Sequence, residues 1–321
     1  MLDRTLSRLD HLLARINGHP EYSVRVRGTV IRQLVQEASK HSLNIELLAE
    51  TGEYAVNTER SLILQNLNSA WNYLDRYGIT LSTLAVLGNI IEPDNNPSPN
   101  FRRTQVAFGG FYPPVSEVIP FEIKNLVDLL SLNMVHPVQR AVEAHLEMVR
   151  IHPYLDGNGR AARLLQNFCL QQVNYPPAII LASERELYLR LLESTLKRRY
   201  THQSSMGAPA LEESLFQEFI ASKVLSSAEQ LESELQKRRI YELTLCSIDD
   251  PGTVRVLSRN IRNYAKADHR GVSVVKDRER RCQKGAVCLK VVGDIGKEEL
   301  DLILGRKAAS HQIRYHLVSV A

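Results

Sequence analysis

The segment that most constrains this chain is HPYLDGNGRAAR at His152–Arg163, which joins two stretches of helical apolar periodicity. Glycines at positions 157 and 159 let backbone amides approach a bound group closely, and they predict a loop that leads into a helix. A helix start offers unpaired N–H groups and the positive end of the helix dipole, which together favour phosphate. The sequence therefore predicts an anion site where this helix begins.

The charged side chains of the same segment indicate what that site could do. Arg160 and Arg163 are three residues apart, so they project from one helical face and form a clamp for a polyphosphate. Asp156 supplies the hard oxygen ligand that Mg²⁺ takes beside phosphate. His152 is near enough to accept a proton from an incoming hydroxyl, since imidazole is partly neutral at physiological pH. Together these groups predict phosphoryl or nucleotidyl transfer.

Composition describes a globular chain of two or three domains. Of its 321 residues 44% are apolar and 24% are charged, with a net charge of +4 that would suit an anionic ligand. The N-terminus is charged throughout, and no apolar run reaches the ~18 residues of a membrane helix. Four scattered cysteines form neither a disulfide scaffold nor a zinc motif. We expect a cytoplasmic protein that does not bind a membrane.

Apolar periodicity predicts a mainly α chain in three parts. Residues 1–97 are expected to be helical, residues 98–203 to form an all-helical core with a β-hairpin flap at 104–112, and residues 204–321 to hold a long helix and a small α+β or winged-helix-like module. The predicted helices cover residues 4–16, 26–48, 58–76, 81–91, 116–132, 137–151, 158–173, 184–199, 211–238 and 297–304. Strands are predicted at residues 272–275, 286–292 and 313–320.

The loop resembles the Fic motif, H-x-F-x-(D/E)-G-N-G-R-x-x-R, with Tyr154 in the position of the phenylalanine. Tyrosine keeps the ring that anchors the loop, so little effect is expected if its hydroxyl finds a partner. Val106-Ala107-Phe108-Gly109-Gly110 is similar to the family's flap, and His136-Pro137 and Tyr175-Pro176-Pro177 are also similar to family sequences. The resemblance covers roughly residues 20–200. It implies a protein adenylyltransferase, which moves AMP from ATP-Mg²⁺ to a Ser, Thr or Tyr hydroxyl of a target protein.

The resemblance also implies a role for each motif residue. His152 would deprotonate the target hydroxyl, and Asp156 would hold Mg²⁺ at the α and β phosphates. Three residues would line an anion hole, namely Gly157, Asn158 and Gly159, and the arginines Arg160 and Arg163 would bind the phosphates. Tyr188 either borders the adenine or is an aromatic residue of the core. The flap would hold the target segment by strand-like pairing.

A second resemblance lies upstream, in the family's inhibitory-helix pattern (S/T)-x-x-x-E-(G/N). Ser42 and Glu46 match its first five positions, and Leu47 replaces the glycine or asparagine. Residues at i and i+4 of a helix face the same way, so Ser42 and Glu46 can act together. The resemblance implies that Glu46 pairs with Arg163 and inhibits transfer. The alternative is that Glu46 is an ordinary solvent-exposed charge on a helix.

Other functions remain open at this stage. The same site could remove AMP with help from Glu46, or transfer another phosphate-containing group, and the chain could modify itself. Alternatively the protein is a nucleotide-sensing regulator whose basic tail binds nucleic acid. That tail has eleven basic residues against three acidic ones between Arg255 and Lys290, which fits nucleic acid, an acidic protein or an ordinary solvated surface.

Overall fold

A computed structural model of the chain describes residues 1–18, 24–50, 57–132, 135–201, 211–236, 239–246, 251–267, 272–276, 286–293, 295–311 and 314–319. These residues form two compact units. The first consists of Met1–Leu13 and Gln33–Ala228, and the second of Ala14–Arg32 and Glu229–Ala321. The division into three parts at residues 97 and 203 stays a prediction.

Helices dominate the described chain, so the mainly α expectation is confirmed. They are α1 (Leu2–Gly18), α2 (Val24–Glu50), α3 (Asn57–Tyr77), α4 (Leu81–Ile91), α5 (Ile119–Ser131), α6 (Pro137–Ile151), α7 (Asn158–Gln172), α8 (Arg185–Thr201), α9 (Leu211–Gln236), α10 (Pro251–Ala267) and α11 (Lys297–His311). The strands are β1 (Arg239–Cys246), β2 (Ser273–Lys276), β3 (Ala286–Gly293) and β4 (Arg314–Ser319).

Helix α7 is the centre of the first unit, where it contacts α3, α4 and α6. Every residue from Arg160 to Leu170 is buried. A helix that is covered all round is normally apolar, yet this one buries Arg160, Arg163, Gln166 and Asn167. These positions recur every three or four residues, so they form one polar stripe along the helix. Because buried polar groups need partners, the neighbours of this stripe are constrained in chemistry as well as in shape.

The loop between α6 and α7 is anchored by Tyr154, which is 1% exposed. Its hydroxyl donates to the Leu84 carbonyl of α4 at 2.5 Å, so the hydroxyl that distinguishes it from phenylalanine has a partner. Its ring packs against Gly88, where an added Cβ would be 2.3 Å from Tyr154 Cδ1. Only a glycine leaves room for this ring on the surface of α4.

The flap is smaller than the two strands expected at residues 104–112. One isolated bridge joins Phe108 to Phe111, with Phe111 N–H donating to the Phe108 carbonyl at 2.8 Å and the reverse bond at 3.2 Å. Gly109 and Gly110 both have positive φ, 50° and 81°, as the tightest two-residue hairpin turn requires. The hairpin is therefore a turn with minimal pairing.

The sheet lies in the second unit and has the strand order β2-β3-β1-β4, with all neighbours antiparallel. In chain order the module reads β1-α10-β2-β3-α11-β4, which is the split βαβ topology of ferredoxin-like folds. The α+β prediction for the tail is confirmed, and of its two forms the topology is ferredoxin-like and not winged-helix-like. The apolar side chains of β1, α10, β3 and α11 share one core, among them Leu243, Ile261, Val291 and Leu300.

None of the described helices combines the length and the apolar character that crossing a membrane would require.

We expect Gly88→Ala to destabilise the protein by about 1–3 kcal/mol, the usual cost of forcing a methyl group into a packed core. Thermal or urea denaturation monitored by circular dichroism measures the change. Gly28→Ala is the matched control, because Gly28 is also inside a helix but a Cβ there would meet only Arg32 Nη1, at 3.8 Å. Removing a helical glycine that has room should leave the midpoint unchanged or raise it. Equal stability of the two variants would show that the ring does not press on Gly88.

Candidate active site

His152 ends α6 in a conformation that is uncommon for a side chain other than glycine. Its φ and ψ are 50° and 59°, and its N–H still donates to the Met148 carbonyl at 3.1 Å. Left-handed backbone at such a residue persists only where the surroundings enforce it. Here Arg102 enforces it, because its Nε donates to the His152 carbonyl at 2.8 Å and its own N–H donates to the Pro153 carbonyl at 2.9 Å.

Arg102 also holds the flap, and sequence reasoning missed it. It is 4% exposed, and its Nη1 and Nη2 donate to the Thr104 and Pro114 carbonyls at 2.8 and 2.6 Å, one at each end of the flap. One buried guanidinium therefore links the flap to the start of the loop. The sequence shows only two arginines, Arg102 and Arg103, before the predicted hairpin, and nothing in it indicates which of them is buried.

The His152 ring lies under the flap. Phe108 stacks on it with ring centroids 4.0 Å apart and an interplanar angle of 13°. The pKa of His152 falls to about 4, mainly because burial disfavours the charged ring; the Arg102 charge lowers it further, while the Val149 backbone and Asp156 oppose the shift. The imidazole is therefore neutral at physiological pH.

The other flap positions expected to meet a target are open. Ala107 and Gly109 are exposed and Val106 is partly buried. This part of the chain is thus accessible for an added peptide, although its one bridge offers little ready-made strand edge.

Asp156 is held at the mouth of the loop by backbone and amide donors. Its Oδ1 accepts from the Gly157 N–H at 2.5 Å and its Oδ2 from Asn95 Nδ2 at 2.9 Å. Its side chain is 44% exposed, so the carboxylate still reaches solvent.

Asn96 is a second residue that sequence reasoning missed. It is 5% exposed, and its Oδ1 accepts from Leu155 N–H at 2.9 Å while its Nδ2 donates to the Asp156 carbonyl at 3.0 Å. The same amide group donates to the Gly88 carbonyl of α4 at 3.2 Å. Asn96 therefore fastens the loop to the end of α4. The sequence predicted only a loop here, since buried loop asparagines and solvated ones look alike.

Asn158 closes the loop on itself. Its Oδ1 accepts from the Tyr154 N–H at 3.0 Å and its Nδ2 donates to the Tyr154 carbonyl at 2.9 Å. Gly157, which precedes α7, has a φ of 81°, so the chain enters the helix through a left-handed residue. The glycines thus shape the helix start that the anion site needs.

Ser42 and Glu46, on α2, both contact Arg163 on α7. Arg163 Nε donates to Ser42 Oγ at 2.8 Å, and its Nη2 donates to Glu46 Oε1 at 2.5 Å and to the Ser42 carbonyl at 3.2 Å. A Cβ on Gly159 would lie 2.7 Å from Glu46 Oε1, so the carboxylate stands directly over the first turn of α7. The structure thus brings together Ser42, Glu46, Gly159 and Arg163. The Leu47 side chain lies outside the described part of the structure.

Tyr188 is buried beneath Arg163 and does not line an open surface. It is 1% exposed, and its hydroxyl contacts Arg163 Nη1 at 3.4 Å and His145 Nε2 at 3.0 Å. His145 Nδ1 in turn contacts Gln166 Oε1 at 2.8 Å. Burial lowers the pKa of His145 to about 3, helped by the charge of Arg163, so this ring is neutral. The position fits the core-aromatic alternative for Tyr188, with a contact to the arginine added.

The loop fits a magnesium ion held mainly by phosphate oxygens. The described residues contain no group of three or more His, Cys, Asp and Glu side chains that would make an all-protein cage. Mg²⁺ is usually bound by one or two carboxylates together with substrate phosphates, and Asp156 offers such a carboxylate beside a helix start.

Several residues of the basic tail, including Arg270, Arg278, Arg280, Arg281 and Lys284, lie outside the described residues. The nucleic-acid hypothesis therefore stays a prediction.

Part of the chain is similar to known proteins. Residues 79–170 match the Fic/DOC family. A protein adenylyltransferase Fic from Drosophila grimshawi is 40% identical over 111 residues, which are 34% of this chain and 22% of the relative. The chain thus spans about a fifth of the length of this curated relative.

Two solved structures share the fold. Fic-1 of C. elegans (residues 134–508) superposes with a TM-score of 0.58 at 19% identity, over 73% of each chain. A Fic family protein from Desulfovibrio desulfuricans G20 gives a TM-score of 0.52 at 14% identity, and covers 99% of this chain and 95% of its own. At such identities the likeness concerns the fold alone. With the matched motif and the loop geometry, residues 79–170 are similar to the Fic/DOC family.

Proposed function

We propose that this protein transfers AMP from ATP-Mg²⁺ to a hydroxyl group of a protein, with His152 as the base, and that Glu46 restrains the reaction. The observation that carries the proposal is the convergence of a neutral histidine, a helix start and two arginines on one loop. The similarity of this region to proteins named protein adenylyltransferase Fic supports the same chemistry. The target is a protein segment bound along the flap, in another protein or in the chain itself.

In the proposed reaction His152 accepts the proton of the target hydroxyl. The oxygen then bonds to the α-phosphorus, the bond from that phosphorus to the α–β bridging oxygen breaks, and pyrophosphate leaves. A base must be unprotonated to act, and the lowered pKa of His152 keeps it so. The ring must also be reached, so the target side chain has to displace or slide past Phe108, which covers it.

The phosphates are assigned to the start of α7. Backbone N–H groups at Gly157–Gly159 and the helix dipole stabilise their charge, and the guanidiniums of Arg160 and Arg163 add charge-assisted hydrogen bonds. A magnesium ion, when bound at Asp156, supplies further charge neutralisation at the phosphates. The positioning of these groups supplies most of the catalysis in phosphoryl and nucleotidyl transfer.

Inhibition is assigned to Glu46. Its carboxylate occupies Arg163 Nη2 and stands over Gly159, where the end of a triphosphate would lie. A nucleotide that enters must either compete with this carboxylate or take a pose that misaligns the α-phosphate. Small misalignments are costly in such reactions.

We expect His152→Ala to abolish AMP transfer, by about 10²–10⁴-fold, while ATP binding stays nearly intact. Transfer is measured with α-labelled ATP, and binding by calorimetry. His11→Ala removes an exposed histidine and should change neither quantity. Transfer within threefold of wild type in His152→Ala would remove His152 from the mechanism.

The pH profile checks the same base independently. Because the pKa of His152 is lowered to about 4, the base is lost only as the pH falls through that value. The acid limb of kcat/KM should therefore have its midpoint near pH 4, well below that of an ordinary histidine, whose pKa is about 6.5. A midpoint near pH 6.5 would show that the ring is not shielded as described.

Asp156→Ala is expected to raise the Mg²⁺ concentration needed for half-maximal activity, since it removes the loop's hard oxygen ligand. Asp156→Asn keeps the shape and loses the charge, so it should behave like Asp156→Ala. The measurement is activity against Mg²⁺ at saturating ATP. An unchanged metal dependence in both variants would remove Asp156 from the metal site.

Glu46→Gly should raise AMP transfer at least tenfold. It frees a charge-assisted hydrogen bond of Arg163 for the nucleotide, worth about 1.5–3 kcal/mol, which is roughly tenfold or more if expressed in the transition state. Self-modification and modification of lysate proteins by α-labelled ATP measure the gain. Glycine also weakens a helix, so Gln36→Gly, at an exposed position of α2, is the matched control and should give no gain.

Adding Arg163→Ala to Glu46→Gly should abolish the gain in AMP transfer, because in the proposed inhibition Glu46 keeps Arg163 from binding the nucleotide. If Glu46→Gly leaves transfer unchanged, Glu46 is an ordinary structural charge. If the variant instead loses removal of AMP from a modified protein, Glu46 serves the reverse reaction and the inhibitory role is refuted.

A further inference from the structure

Arg160 lies between two carboxylates and depends on one of them. The residue is 6% exposed. Its Nη1 donates to Glu92 Oε2 at 2.7 Å, and its Nη2 is 3.6 Å from Asp156 Oδ2, too far for a hydrogen bond. Its Nε is buried and has no hydrogen-bond partner within the described chain. Among the described residues, Glu92 therefore supplies the only hydrogen bond to this guanidinium.

Glu92 is itself rigidly placed. It caps the C-terminus of α4, directly after Ile91, and its N–H donates to the Gly88 carbonyl at 3.0 Å. Its carbonyl accepts from both the N–H and the Nδ2 of Asn96, each at 3.0 Å. Asn96 also binds the loop backbone at Leu155 and Asp156. The carboxylate that holds Arg160 is thus fixed to the same frame as the loop.

The two carboxylates that pair with the arginines of this loop differ in where they stand. Glu46 lies over Gly159, in front of the first turn of α7, and its side chain is 35% exposed. Glu92 lies beside Gly157, where its Cβ is 3.4 Å from the position of an added Cβ, and its side chain is 17% exposed. Glu46 occupies space that a phosphate would need, whereas Glu92 approaches the arginine from the side.

We propose that Glu92 is a positioning residue for AMP transfer, which aims the guanidinium of Arg160 at the phosphates without contacting them. The proposal rests on the proposed function. A fixed carboxylate next to a phosphate site repels the ligand, so we do not expect Glu92 to improve nucleotide affinity. Glu92 can improve the alignment of Arg160 with the phosphates, because a guanidinium whose Nη1 is held keeps its Nη2 in a fixed direction. Better alignment in the transition state raises kcat.

The test uses the full chain carrying Glu46→Gly, so that activity is high enough to measure losses. Adding Glu92→Ala should lower kcat about tenfold or more, while the Kd for ATP, measured by calorimetry, stays within threefold or becomes tighter. Adding Glu92→Gln should restore kcat to within about threefold of the parent, because the amide oxygen can still accept from Nη1. Asp94→Ala removes an exposed carboxylate two residues away and should change neither quantity.

Each outcome decides the matter. Unchanged or raised kcat in Glu92→Ala would overturn the proposal, and a rise would make Glu92 a second inhibitor. Weakened ATP binding with unchanged kcat would show a role in affinity only and would also overturn it. If Glu92→Gln is as impaired as Glu92→Ala, charge and not alignment matters, and the proposal fails. Adding His152→Ala to Glu46→Gly tests the proposed function separately from the role of Glu92. AMP transfer that survives in this variant would refute the proposed function itself.

Discussion

The structure depends on the burial of two arginines at the start of α7. Arg160 is 6% exposed and Arg163 is 5% exposed, and a buried charge is tolerated only if it is paired and hydrogen-bonded. Each arginine has a carboxylate from a different helix, Glu92 at the end of α4 and Glu46 on α2. These pairs tie α2 and the end of α4 to α7, so the loop at residues 152–163 is positioned by elements that are distant in sequence.

The same arrangement supports the proposal that Glu46 restrains this loop. Anion sites at helix starts are electropositive by construction, and without a ligand they attract any nearby carboxylate. Glu46 takes this place in front of the helix, whereas Glu92 stays at its side. The contrast gives the two glutamates opposite proposed roles although both make a short ion pair with a motif arginine.

Much of the fold could be predicted from sequence, because the spacing of apolar residues along a short segment shows which face of a helix will be buried. Helices α1–α9 and α11 were all expected, most within two residues of the observed bounds. Strand β1 and helix α10 were not assigned, although Tyr241, Leu243 and Leu245 alternate and Leu257 and Ile261 have helical spacing. The topology of that unit could not be read at all, since strand order depends on pairings such as Leu243 with Leu289 that join distant segments.

At the site, the sequence alone predicted the chemistry, because a histidine, a carboxylate, glycines and arginines at fixed spacing indicate a phosphate-binding loop. It also determined that Ser42 and Glu46 share a helix face. What surrounds these groups depends on tertiary contacts that the sequence pattern does not show. Three hydrogen bonds at the site join positions 50 or more apart: Arg102 to the His152 carbonyl, Asn96 to the Asp156 carbonyl, and Arg160 to Glu92. The lowered pKa of His152 comes mainly from burial. Spacing within a motif fixes which groups are near one another along the chain, whereas burial and long-range hydrogen bonds exist only once helices have packed.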